Sequence, residues 1–366
     1  MITSHLLCCD DGRDLFNIPD ESIHLIVTSP PYPMIAMWDD DFGKADPLIA
    51  ERIEDGDGRK AFEAMHRLLD AVWRECFRVA VPGGIVCINI GDATRSVDGE
   101  FRLYANHARV ITFMEALGFW SLPLILWRKQ TNAPNKFMGS GMLPGGAYIT
   151  LEHEYILVFR KGGKRVFSHE TSRALRRRSA LFWEERNTWF SDVWDFKGAR
   201  QSMLNGSNKN LRARSAAFPF ELAYRLIHMY SLQGERVLDP FVGTGTTIRA
   251  AITGGRNSFG YDTDQNLISH ILETLPDEHD FMNEYNCRRL ERHAAFMANR
   301  HEEKGVGKKP GKSYVNKRYR FPVVTAQERE IELPVIDRIE RSEGVLTAYY
   351  QSDRPVWERP EEDYSE

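Results

Sequence analysis

Val237-Leu238-Asp239-Pro240-Phe241-Val242-Gly243-Thr244-Gly245-Thr246-Thr247 runs from a branched apolar stretch into an acid, a proline and two closely spaced glycines. A short apolar run stopped by proline reads as a buried strand. Glycines directly after a strand let backbone approach a ligand without Cβ interference. A phosphate-binding P-loop needs Gly-Lys-Ser/Thr at its end, and no lysine stands here. A dinucleotide fingerprint needs a third glycine where Ile248 stands.

The remaining nucleotide-type reading is a loop for S-adenosylmethionine, whose ammonium and sulfonium are cationic. Asp239, at the strand tip, suits such a cation through charge-assisted hydrogen bonding. One strand later, Gly260-Tyr261-Asp262 sets an acid where it can bind ribose hydroxyls, as the acid of dinucleotide sites does. The bland reading of the same residues is a glycine turn with a helix-capping aspartate.

Working outward, strands and helices alternate. Strands are expected at Ser22–Thr28, Ile85–Ile90, Trp120–Trp127, Tyr155–Phe159, Arg236–Leu238 and Ser258–Tyr261. Helical spacing of apolar residues marks Lys60–Val79, Tyr104–Leu117 and Phe220–Tyr230, with Pro82-Gly83-Gly84 ending the first. This alternation predicts an α/β fold with a largely parallel sheet, and ligands of such sheets sit at the carboxyl ends of strands. A second unusual motif falls at such an end: Thr28-Ser29-Pro30-Pro31-Tyr32. Two prolines fix the backbone there, so Ser29 and main-chain carbonyls can be aimed at one amine. The Tyr32 ring offers a flat face to a flat base, and enzymes acting on a base inside a duplex extrude it and hold it by stacking and edge hydrogen bonds. In isolation the motif would read as a proline turn with a packed tyrosine.

The 366 residues are 42% hydrophobic and 27% charged, an ordinary globular balance with a substantial core. No apolar run is long enough to span a bilayer, and the first residues form no signal peptide. The five cysteines show no zinc spacing, which reads as reduced thiols in a cytoplasmic protein. No metal is expected: His153-Glu154 lacks a second histidine at helical spacing. Net charge is −4, yet Arg160 to Arg214 holds 14 Lys/Arg against 5 Asp/Glu. Such a basic segment in an acidic chain suits phosphate contact, with Arg176, Arg177 and Arg178 as the candidate DNA-binding residues; a solvated basic loop is the plain alternative. Trp183, Trp189 and Trp194 in that segment read as packing for an inserted subdomain rather than as a DNA wedge. Asp39-Asp40-Asp41 reads as a solvated loop, 136–146 as a glycine-rich surface loop or lid, and 305–312 as a flexible linker.

The serine-proline-proline-tyrosine and glycine motifs, as a pair, resemble the DNA amino-methyltransferases. The catalytic motif precedes the cofactor loop, the order of the permuted beta group, whose target-recognition region lies between the two. Asp10, with the strand to Ser29, is similar to the family segment whose acid contacts the cofactor adenine. Phe218-Pro219-Phe220-Glu221-Leu222 resembles the helix that completes the methionine pocket. Phe77 to Gly84, Trp127-Arg128-Lys129 and His153-Glu154-Tyr155 resemble further family blocks. The resemblance spans about residues 6–272, with insertions near 39–60 and 130–147.

It implies a Rossmann-like S-adenosylmethionine-dependent methyltransferase sheet divided into four parts. A catalytic part spans 1–160, an inserted target-recognition region 161–213, a cofactor-binding part 214–280 and a C-terminal extension 281–366. Ser29, Pro30, Pro31 and Tyr32 become the catalytic set. Asp10, Phe218, Pro219, Asp239, Pro240, Phe241, Gly243, Gly245, Thr246 and Asp262 become the cofactor contacts. In this family serine before Pro-Pro-Tyr goes with the N4 amine of cytosine, and Asp or Asn with the N6 amine of adenine. N4-cytosine in double-stranded DNA is therefore the expected target and N6-adenine the alternative. An RNA or non-nucleic-acid substrate is the alternative of another class. No Pro-Cys motif is present, which argues against methylation at cytosine carbon 5. A monomer or homodimer, with a companion restriction endonuclease, completes the expectation.

Overall fold

The structure is a computed structural model that describes residues 1–129, 138–198, 218–303 and 314–351. The expected linker 305–312, residues 199–214 of the basic segment and residues 136–137 of the glycine-rich loop lie outside the described residues.

The chain begins with strands β1 (Ile2–Cys9) and β2 (Ile23–Thr28), then helices α1 (Asp39–Ala45), α2 (Pro47–Glu54) and α3 (Gly58–Val79). Strands β3 (Ala80–Ile90), β4 (Ala93–Val97) and β5 (Glu100–Tyr104) precede α4 (Asn106–Leu117) and β6 (Phe119–Arg128). A small hairpin, β7 (Met138–Gly139) with β8 (Ala147–Tyr148), leads to β9 (His153–Lys161). Then come α5 (Glu170–Arg178), α6 (Trp183–Trp189), β10 (Val193–Asp195) and α7 (Phe220–Tyr230). Strand β11 (Arg236–Asp239), α8 (Thr246–Thr253), β12 (Asn257–Asp262), α9 (Gln265–Thr274) and α10 (His279–Glu303) follow. The described chain closes with β13 (Tyr314–Val315), β14 (Pro322–Val323), β15 (Ile336–Ser342) and β16 (Val345–Tyr350).

Ten strands form one sheet in the order β10-β6-β9-β3-β2-β11-β12-β1-β16-β15. The five from β3 to β1 are mutually parallel, as expected. The flanks correct the expectation of a largely parallel sheet. β9 pairs antiparallel with both β3 and β6, and β16 pairs antiparallel with both β1 and β15. Helices cover both faces of the parallel part. α3 is capped by Asp57, which accepts from the Lys60 amide at 3.0 Å, and it buries Met65, Leu69, Val72, Trp73 and Cys76 on one side. α7 buries Leu222, Ala223, Leu226 and Ile227 on the other side, together with Trp189 and Trp194 of the basic segment. Two of the three tryptophans thus pack the core, while Trp183 stays partly exposed and stacks on Phe296. Among the described residues, no helix is long and apolar enough to cross a membrane.

Three local readings change. Pro82-Gly83-Gly84 does not separate helix from strand, because β3 already begins at Ala80. The extra residues are absorbed where the β2–β3 register shifts between Ile23 and Leu25, and Gly83 takes a φ of 78° that a side chain would resist. Asp39-Asp40-Asp41, read as a loop, open helix α1 in the insertion near 39–60. Within it Asp39 is half-buried, both its oxygens accepting from the Arg95 guanidinium at 2.8 and 2.7 Å, while Asp40 stays exposed. The segment after 280 is built into the molecule: the β15–β16 hairpin extends the main sheet beyond β1. Helix α10 docks through Arg289, which is fully buried and donates to Glu185 at 2.6 and 2.8 Å and to the Tyr224 hydroxyl at 3.2 Å.

Candidate active site

The parallel strands deliver their carboxyl ends to one edge. β1 ends at Cys9 before Asp10, β2 at Thr28 before Ser29, β11 at Asp239 and β12 at Asp262. A cavity of about 240 Å³ opens there, between the β2 and β11 ends and helix α3. Its wall includes Asp10, Ser29, Pro30, Pro31, Phe218, Asp239, Pro240, Phe241, Gly243, Thr246 and Asp262, so the two motifs separated by some two hundred residues meet at one surface.

The link between them is a hydrogen bond. Thr28 Oγ1, the last residue of β2, donates to Asp239 Oδ1 at 2.6 Å. The other Asp239 oxygen accepts from Thr247 Oγ1 at 2.6 Å, and the Phe241 amide donates to Oδ1 at 3.1 Å. Asp239 is 1% exposed. Burial pushes its carboxyl up to about 6, against the pull of the Thr247 and Thr28 hydroxyls and the Phe241 amide. Both oxygens of Asp239 therefore lock the two loops together rather than standing clear in the cavity. Asp262 works in the same way: it accepts from the Gly243 amide at 3.0 Å and the Asp264 amide at 2.9 Å.

Gly243 has a φ of 51° and Gly245 of 81°. Gly245 is not on the cavity wall; a Cβ there would stand 3.0 Å from Ile271, so it lets the loop lie against α9. Pro219 caps the N-terminus of α7 behind Phe218 and is likewise off the wall. Residues that sequence reasoning passed over complete the cavity. Gly12 brings the β1 loop against the Pro240 carbonyl, where a Cβ would sit 2.7 Å away. Trp38 and Phe42 come from the inserted helical region, and Leu68, Leu69 and Val72 from α3.

The proline loop is held from several distant elements. Asn106, the first residue of α4, donates to the carbonyls of Pro33 at 3.1 Å and Gly91 at 2.9 Å. Met34 sits at a φ of 66°, a conformation side chains rarely take and one that concentrates at functional sites. Tyr32 is absent from the cavity wall. It lies behind Ser29, its ring against Gly91, where a Cβ would come within 3.1 Å of the ring. Its hydroxyl contacts Ser29 Oγ at 3.1 Å, Glu154 Oε2 at 3.0 Å and Asn89 Nδ2 at 2.8 Å. Burial, reinforced by the Glu154 charge, holds the Tyr32 phenol well above its ordinary value. Lys129 pairs with Glu154. The sequence blocks containing Lys129 and Glu154 stand out by resemblance but without a role, and Asn89 does not stand out at all.

Arg176, Arg177 and Arg178 lie on α5, away from the cavity wall. Arg176 stacks on Phe167, Arg177 pairs with Glu170 at 2.7 Å and Glu330 at 2.8 Å, and Arg178 faces Glu332 at 3.7 Å.

The cavity wall carries six aspartates and a single arginine, Arg13, beside apolar side chains. That balance fits a cationic, nucleoside-bearing ligand and disfavours a pyrophosphate. Fold and cavity thus define a Rossmann-like enzyme with its cofactor at the carboxyl edge of the sheet.

Comparison with known proteins narrows the class. The DNA methylase (N6/N4) family profile matches residues 23–273. The chain is 48% identical over 364 residues to the type II methyltransferase M.MthZI of Methanothermobacter thermautotrophicus, covering 98% of both chains. It is 48% identical to M.MjaI of Methanocaldococcus jannaschii over 75% of this chain and 91% of that one. A candidate DNA modification methylase of Thermus thermophilus, solved with S-adenosyl-L-methionine, superimposes with a TM-score of 0.56 at 34% identity, over 75% of this chain and 95% of that one. The chain belongs to the N6/N4 DNA methylase family, the beta-group DNA amino-methyltransferases. It is an S-adenosylmethionine-dependent DNA methyltransferase of that family.

Proposed function

We propose that this enzyme methylates the exocyclic N4 amine of cytosine at a specific sequence in double-stranded DNA. The observation that carries the reading is Ser29: a hydroxyl, not a carboxylate or amide, stands before Pro-Pro-Tyr and lines the cavity beside the glycine loop. S-adenosylmethionine supplies an electrophilic methyl group when bound.

The chain's own residues do the rest. Asp10 and Asp262, with Phe218, Phe241 and the glycine loop, hold the cofactor, and Asp239 keeps that loop and the proline loop in register. The target amine is a poor nucleophile because its lone pair is conjugated with the ring. Hydrogen bonds from its two N–H groups to Ser29 Oγ and the Pro30 carbonyl would favour a pyramidal nitrogen with its lone pair freed from the ring. Tyr32 is only partly buried, and the extruded base stacks on the ring face turned away from Gly91. Phosphate contact by Arg176, Arg177 and Arg178 belongs to the same reading. The basic excess of 160–214 supports it, though a phosphate must compete with Glu330 and Glu332. The type II names of M.MthZI and M.MjaI support a role in protecting DNA from a companion restriction endonuclease.

The test is incubation with plasmid DNA and isotopically labelled S-adenosylmethionine, followed by mass spectrometry of the nucleosides. N4-methylcytosine is expected. N6-methyladenine would overturn the target while keeping the mechanism. No labelled nucleoside, despite demonstrated cofactor binding, would redirect the search to RNA or other substrates.

A further inference from the structure

Ser29 poses a chemical problem. To receive a hydrogen bond from an amine N–H its oxygen must act as acceptor, yet a serine hydroxyl rotates freely between donating and accepting. The surroundings of Tyr32 remove that freedom. Glu154 Oε2 accepts from Asn89 Nδ2 at 2.7 Å and from the Tyr32 hydroxyl at 3.0 Å, while Oε1 faces the Lys129 ammonium. Asn89 Nδ2 also donates to the Tyr32 oxygen at 2.8 Å. Glu154 is 9% exposed and Asn89 2%, so solvent does not set these polarities.

A carboxylate only accepts, and an amide N–H only donates. Tyr32 must therefore give its single proton to Glu154, and its oxygen is left to accept. The remaining contact, 3.1 Å from Tyr32 to Ser29 Oγ, then has one polarity: Ser29 donates its proton to Tyr32. With that proton spent, both remaining lone pairs of Ser29 are available on the cavity side.

We propose that Glu154 is a positioning residue that acts through the Tyr32 hydroxyl to fix Ser29 as a hydrogen-bond acceptor for the target amine. The inference rests on the reading of Ser29 to Tyr32 as the catalytic loop. It gives Glu154, Asn89 and Lys129 one shared function: Lys129 and Asn89 hold the carboxylate, and the carboxylate sets the direction of the chain of hydroxyls. It also explains how serine does the work of an acceptor that cannot rotate into a donor.

Glu154→Gln is the sharp variant. It keeps the shape, but the Lys129 ammonium, itself a donor, favours the amide oxygen on its side, so the amide NH₂ turns to Tyr32 and donates. The Tyr32 proton then swings to Ser29, and the Ser29 proton points at the substrate. The readouts are the single-turnover methyl-transfer rate at saturating cofactor and DNA, and cofactor affinity by calorimetry.

Glu154→Gln and Tyr32→Phe should each slow transfer roughly tenfold, the worth of one hydrogen bond. The double variant should be no slower than either single one, and cofactor affinity should stay within about twofold. Losses that multiply in the double variant, or a matching loss of cofactor affinity, would show that Glu154 merely supports the fold and overturn the proposal. If Glu154→Gln does not fold, Tyr32→Phe is compared in the Ser29→Ala background. It should cost nothing there, and an undiminished loss overturns the proposal. Full activity in Ser29→Ala would instead sink the catalytic reading itself. An impaired Ser29→Ala beside an unimpaired Glu154→Gln would sink only the role given to Glu154.

Discussion

The two loops that meet at the cavity are held in opposite ways. The glycine loop is fastened by near neighbours: Asp239 binds Phe241 and Thr247, Asp262 binds Gly243, and the Gly245 amide bonds the Val242 carbonyl at 2.8 Å. The proline loop is fastened from afar, by Asn89 on β3, Glu154 on β9 and Asn106 on α4. A cofactor is the same at every turnover, and a locally closed loop suits it. On the proposed reading the target base must enter and leave, and the loop that would meet it depends on partners drawn from β3, β9 and α4.

The comparison breaks most visibly at Asp239, the residue both loops share. Asp239→Ala strands the Thr28 hydroxyl and the Phe241 amide and leaves the Thr247 hydroxyl only the Val27 carbonyl at 3.3 Å. At roughly 1–3 kcal/mol per orphaned group, it should lower stability by about 4 kcal/mol and weaken cofactor binding. Urea unfolding and calorimetry check this; unchanged cofactor affinity would remove Asp239 from the site.

The same residue gives a pH signature. Its carboxyl is raised in the folded, cofactor-free protein from an ordinary 3.8 to about 6. Between those values the folded chain holds a proton that the unfolded chain has released. This group's contribution to stability is thus greatest at and below about pH 4, falls as pH rises through the window, and is level above about 6. The full span is at most roughly 3 kcal/mol. Asp239→Asn should flatten that slope in unfolding midpoints measured from about pH 4.5 to 7.5, and an unaltered slope would assign it to other groups.

Tyr32→Ala sharpens the contrast. It should slow methyl transfer roughly 10²-fold, the worth of a stacked base, while cofactor affinity stays unchanged. Lost affinity with normal turnover at saturation would contradict it. The smallest effect belongs outside both loops. Arg177→Ala removes two solvent-screened ion pairs and should leave the unfolding midpoint nearly unchanged, but should lower the salt dependence of DNA binding if Arg177 reaches phosphate. An unchanged salt slope would leave Arg177 a purely internal contact.

What can be read in the sequence follows the same division. Proline and glycine punctuate locally, so Ser29 to Tyr32 and Asp239 to Thr247 stand out in the sequence as strand-end loops. The Thr28–Asp239 bond does not, because only the pairing of β2 with β11 creates it. Asn89 is unreadable as well: it lies inside an apolar strand, and its partner Glu154 comes from a strand antiparallel to its own. Other omissions do carry a local signal. Asp98-Gly99, both at positive φ, join β4 to β5, and Glu343-Gly344, also both positive, join β15 to β16. Two such residues between alternating apolar runs mark a tight hairpin. Following apolar runs alone misses both, and with the second the place of the C-terminal segment in the main sheet.

That placement bears on how the chain is made. β1 is made long before the strands it pairs with, β12 and β16. The His5 ring bonds Ser258 across 253 residues, and Thr3 bonds Tyr350 across 347. Through most of synthesis β1 has both edges bare, while β2 and β3 can pair early. Such long-range closure is slow, and an unpaired edge invites association with other chains. A nascent chain stalled before β12 therefore carries an apolar strand with nowhere to go, and the β15–β16 hairpin seals a strand made long before it.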